Sequence, residues 1–78
     1  MTFLIRPGAP LHEAQLQARA LATWRDAELL VQLRWDDFLA AGRASRRGAF
    51  AAYVAALDAE AAAAAELAQV HSDLAEAA

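Results

Sequence analysis

The sequence predicts an all-α protein, an antiparallel hairpin of two long helices. Three observations predict it. From Leu11 to Ala41 and again from Ala49 to Ala78, no proline or glycine interrupts the chain. Large apolar residues recur at three-and-four spacing in both stretches, the period of a helix and not of a strand. Between the stretches stands a short break, Gly42-Arg43-Ala44-Ser45, composed as a helix stop followed by a helix start.

Residues 1–9 read as an N-terminal arm punctuated by Pro7 and Gly8, with Phe3-Leu4-Ile5 its one strand-like segment. The hairpin domain is expected over residues 10–78. Pro10 suits the first position of helix 1, where its missing N–H would have no partner in any case. Helix 1 is expected over residues 10–41, built mostly from good helix formers. Gly42 is expected to close it in the left-handed conformation that glycine adopts without a Cβ penalty. After a turn over 42–45, Ser45 is expected to cap helix 2 by accepting a bond from an early backbone N–H. Helix 2 then runs over 46–75, with Gly48 a weak point in its first turn. Each helix of about 30 residues spans about 45 Å.

In helix 1, Leu21, Trp24, Val31, Trp35 and Phe38 form one stripe, while Leu11, Ala18, Ala22, Leu29 and Leu33 form a second, well around the cylinder. In helix 2, Phe50, Tyr53, Val54 and Leu57 form a stripe that alanines continue, and Leu67, Val70 and Leu74 follow with an apparent displacement around the helix. Folding back at a turn near residue 44 sets Phe38 beside Phe50, Trp35 beside Tyr53, and Trp24 against Ala64 in the alanine run Ala61 to Ala65. Large side chains opposite small ones let two helices interdigitate without voids.

Size and composition then bear on assembly. Seventy-eight residues make one small domain, and chains of this length lean on disulfides, metal or association to bury enough surface. The chain has no cysteine, which excludes disulfides and thiolate-bound zinc and leaves association. Two helices cannot enclose a core, so the second stripe on helix 1 (Leu11, Ala18, Ala22, Leu29, Leu33) is expected to carry self-association, completing a four-helix bundle as a homodimer. A stable monomeric hairpin and a chain completed by a different protein are the alternatives.

Arginine supplies all seven basic residues and lysine is absent, a usage that points to a GC-rich bacterial or phage genome. The net charge of −3 is uneven: residues 1–48 hold seven arginines against five acids, while the rest holds five acids and no base. Opposite halves favour folding back. No uninterrupted apolar run approaches the roughly 18–20 residues of a membrane span, and the first residues are too short for a secretory signal. A cytoplasmic protein with no membrane partner is the expectation.

Four constellations invite chemistry. His12, Glu13, His71 and Glu76 come together near the open end, but the paired Glu-x-x-His spacing of di-iron bundles is absent, and solvated helix ends are the expected reading. Glu28 and Glu60 share a layer, as a catalytic carboxylate pair would; stripe-edge residues reaching water or Arg25 are the expected reading. Arg43, Arg46 and Arg47 cluster at the hairpin tip, where arginine at a helix N-terminus opposes the macrodipole. That cluster is the candidate contact for a partner, through carboxylates or phosphates. Without interleaved aromatics or an extended basic surface, nucleic acid is the lesser expectation. Trp24 and Trp35 share a face and read as core. No phosphate loop, catalytic triad or nucleophile elbow occurs, so no enzyme, cofactor or metal is expected. The turn lacks the Trp-X-Gly of small helical-hairpin secretion proteins, and the function expected is that of a helical protein–protein interaction module: an adaptor, accessory subunit, regulator or inhibitor.

Overall fold

The computed structural model describes residues 9–77 and consists of two helices packed against each other, α1 (Ala9–Ala40) and α2 (Arg46–Ala77), each of 32 residues. The arm expected over residues 1–9 lies outside the described residues except for Ala9, which already belongs to α1. The hairpin is a thin rod, its helices about 48 Å long.

The turn is made differently from the expectation. Helix α1 ends with a tightened bond from the Ala41 N–H to the Phe38 carbonyl, 3.2 Å, of the three-residue type common at helix ends. Gly42 does not take left-handed backbone, and a Cβ there would meet nothing within 4 Å. Its carbonyl is the hub of the turn, accepting from the Ser45 N–H at 3.1 Å and from the Ser45 hydroxyl at 3.4 Å. Ser45 therefore stands at the cap position and its carbonyl receives the first helical bond from the Ala49 N–H at 3.0 Å, but its hydroxyl donates backwards and caps no N–H of α2. A carbonyl within reach of the hydroxyl competes for it, the usual local option for serine in turns.

The fold-back register is the expected one at three levels of the rod. The Phe38 and Phe50 rings lie 5.5 Å apart and those of Trp35 and Tyr53 5.0 Å apart. At the far end Gln17 Nε2 and His71 Nε2 are 3.1 Å apart, the amide donating to the bare ring nitrogen. Burial then defines the seam. On α1 the covered positions run Ala20, Trp24, Ala27, Val31, Arg34 and Phe38; on α2 they run Ala49, Tyr53, Ala56, Glu60, Ala63 and Leu67, and on through Val70 and Leu74. Both series step by fours and threes without a break, the period of a supercoiled helix pair.

Two stripe assignments need correction. Leu67, Val70 and Leu74 are not displaced: they continue the seam that begins at Ala49 and Tyr53. Phe50, Val54 and Leu57 sit beside that seam and remain 49%, 38% and 36% exposed. In the alanine run the buried residue is Ala63, while Ala64 is exposed, so the alanine that faces α1 is one position earlier than expected. The physical reason is that alanine, not the bulky residue beside it, occupies every second seam position from Ala49 to Ala63, which keeps the backbones close. The only side chains buried among the described residues are Ala20, Ala56 and Ala63.

Candidate functional site

A hairpin sealed by alanine leaves its larger side chains outside. Ten large apolar residues among those described are exposed, including Leu11 at 62%, Leu29 at 59% and Leu39 at 63%. Open apolar surface at this density makes these faces the candidates for an interaction surface.

The five residues expected to carry self-association, Leu11, Ala18, Ala22, Leu29 and Leu33, are all exposed. At about 100° per residue, Ala22 and Leu29 point directly away from α2, while Leu11 and Ala18 turn toward one flank and Leu33 toward the other. They form a loose back to α1 and no single groove.

The flank that Leu11 and Ala18 approach is better ordered. On α2 it carries Phe50, Val54 and Leu57, continued by Ala61, Ala64 and Ala68, and then by His71 and Ala75. This series also steps by fours and threes, about a quarter turn from the seam. It contains no charged residue after the tip, whereas Glu66 and Asp73 lie on the opposite flank. On α1 the same flank carries Ala14, Leu21, Trp35 and Leu39 around a polar centre of Arg25, Glu28 and Gln32. Treating Phe50, Val54 and Leu57 as inward-facing obscured this second series; its spacing was readable in the sequence.

At the tip, Arg43, Arg46 and Arg47 are all exposed. The ion pair formed among the described residues is a different one, Arg34 to Asp37 at 3.0 Å within α1. Neither helix has acids in its first turn or bases in its last, and Asp36 and Asp37 approach the C-terminus of α1 as the arginines approach the N-terminus of α2. Both arrangements oppose the helix dipoles, each worth about 0.3–1 kcal/mol at an exposed end.

The remaining constellations stay apart or stay open. His71 bonds Gln17, and no group of three or more histidine and carboxylate side chains converges among the described residues. Glu60 is half-buried in the seam, while Glu28 is exposed in a shallow depression with Arg25, Leu29 and Gln32. Trp24 lies half-buried in the seam and Trp35 is 38% exposed, its ring spanning from seam to flank. Other depressions, such as the one lined by Leu16, Arg19, Thr23 and Glu66, are open and shallow.

One apolar feature exceeds the sequence expectation. Residues Arg46–Glu76 of α2 are long and apolar enough to cross a membrane by length and composition, with a mean hydropathy of 1.2 in their most apolar stretch. Alanine produces that value, and Asp58 and Glu60 stand near the middle. An aspartate at a bilayer centre costs about 2.5–3.5 kcal/mol, which weighs toward a protein-facing role for the helix.

Compared with known protein families, curated proteins and solved structures, the chain shows no significant match, so its own surfaces carry the functional reading.

Proposed function

We propose that this chain is a small helical protein–protein interaction module that works as a homodimer, with a second hairpin closing a four-helix bundle. The observation that supports it is the mismatch between what the hairpin covers and what it leaves open. Among the described residues three alanines are buried, and ten large apolar residues are exposed. Burying a Leu or Phe side chain contributes about 1.5–3 kcal/mol, so an open apolar face is a large driving force for association. A second copy is the one partner always present at the chain's own concentration.

In this reading the arginine tip, Arg43, Arg46 and Arg47, is the contact for a further protein. It projects from the end of the rod, away from the apolar faces, and its charges disfavour the helix they start. Forked guanidinium donors suit carboxylates or phosphates. An adaptor, accessory subunit or small regulator fits this division between assembly faces and a charged tip.

The test is thermal unfolding across a range of protein concentrations. Coupled folding and association makes the midpoint rise with concentration; a midpoint independent of concentration contradicts the proposal. For the tip, the triple variant Arg43→Ala, Arg46→Ala, Arg47→Ala is expected to keep helicity and mass while losing capture of a native partner. Undiminished capture removes the tip from the interaction.

A further inference from the structure

Resting on the self-association proposed above, we infer that the second copy docks on the flank carrying Trp35, Leu39, Phe50, Val54 and Leu57, with the two tips at opposite ends and α2 lying antiparallel on α2 of the partner. The argument is self-complementarity. A two-fold axis requires one surface to fit itself reversed.

The flank of α2 does so when the axis passes between Ala61 and Ala64. Phe50 then falls opposite Ala75, and Leu57 opposite Ala68, with Ala61 against Ala64 at the centre. Every large apolar residue except Val54, which faces His71, meets an alanine. The same axis crosses α1 between Arg25 and Glu28, at the level the Gln17–His71 and Trp35–Tyr53 contacts place beside Ala61 to within about one residue, or ~1.5 Å. There Trp35 falls opposite Ala18 and Leu39 opposite Ala14, while Leu21 falls opposite Gln32. Arg25 of one copy meets Glu28 of the other, and the symmetry makes that pair twice. Both side chains are exposed, and neither takes part in the Arg34–Asp37 pair. The polar centre of an otherwise apolar flank is thereby explained: a charged layer of this kind fixes register and direction.

Charge selects the antiparallel arrangement. Tips at the same end would bring six arginines together. Tips at opposite ends keep the two arginine clusters apart and set each toward the terminal half of the partner's α2, which carries acids and no base, although Glu66 and Asp73 lie on its other flank. Area is sufficient as well. A face two helices wide and about 48 Å long offers on the order of 1,000 Å², against the roughly 800 Å² per partner of a standard stable complex. Back-to-back packing through Leu29 would cover one helix and leave the ringed flank open.

The chain has no native cysteine, so single-cysteine variants report without background. Ala61→Cys is expected to join two chains rapidly with a short bis-maleimide, doubling the 8.3 kDa mass. Leu29→Cys on the back of α1 and Ala59→Cys on the opposite flank are expected to link at least tenfold more slowly. A second measurement uses charge: Arg25→Glu and Glu28→Arg should each weaken association about tenfold, and the double reversal should restore it. A dimer that links fastest through Leu29→Cys or Ala59→Cys overturns this geometry and leaves the proposed function standing. A wild-type chain that stays monomeric while helical overturns both. A dimer whose double charge reversal is as weak as the single ones overturns the Arg25–Glu28 register.

Discussion

The two ends of the seam are built from different materials. Toward the turn it is closed by Phe38 and Tyr53, which join the flanking rings of Phe50 and Trp35 in a cluster with centroids 5.0–6.3 Å apart. Toward the termini it is closed by Ala20, Ala63, Leu67, Val70 and Leu74, with a single side-chain bond from Gln17 to His71 across the helices. Aromatic pairs add about 0.5–1.5 kcal/mol each beyond their area, so cohesion concentrates at the turn. Loop closure points the same way. The ring pairs close short loops, whereas Gln17 and His71 are 54 residues apart in sequence, and closing a longer loop costs more entropy. The difference predicts a hairpin anchored at its turn, with a terminal half that gains most from a partner's flank.

The largest expected effect breaks the anchor. Tyr53→Ala removes a half-buried ring that touches both Trp35 and Phe50 and should cost about 2–3 kcal/mol, below the 3–5 typical of fully buried rings. Leu74→Ala at the other end should cost about 1 kcal/mol. Urea unfolding of the pair checks the comparison, and equal losses would erase it. Next in size is the seam itself. Ala56→Leu, at a position 4% exposed, should overpack and cost about 1–3 kcal/mol. Ala59→Leu, exposed three residues on, should fall within about 0.5 kcal/mol of wild type.

Smaller effects sharpen the contrast. Gln17→Ala removes an exposed hydrogen bond worth about 0.5–1 kcal/mol. Its signature is faster amide exchange in the last turns of α2, with protection near the rings unchanged. The smallest effect has the opposite sign. Gly48→Ala places a methyl where nothing lies within 4 Å and should stabilise α2 by about 0.5–1 kcal/mol, read as a raised unfolding midpoint.

The sequence made the hairpin legible because helix breakers occur only at its ends and turn, and because rings marked the register: Phe38 with Phe50 and Trp35 with Tyr53 could be paired by counting from the turn. The phase of the alanine run was not legible by eye. Five adjacent alanines are chemically alike, and one position is a rotation of about 100°, enough to move the seam from Ala64 to Ala63. Bulk misled in the same region, since Phe50 and Val54 look inward by composition and lie outside because alanines take the seam. Gly42 and Ser45 suited their expected capping roles, but the Gly42 carbonyl collected both Ser45 donors and so determined the turn. Of the candidate surfaces, the arginine tip was legible from spacing alone. The ringed flank needed the seam to be placed before its own period stood out.

The central claim is that one hairpin is half of a folded unit. Light scattering coupled to size separation, run from low to high micromolar protein, tests it directly. The account predicts twice the 8.3 kDa chain mass at the upper end, with helicity falling as dilution takes the mass toward one chain. A fully helical species holding the mass of a single chain throughout that range would contradict it.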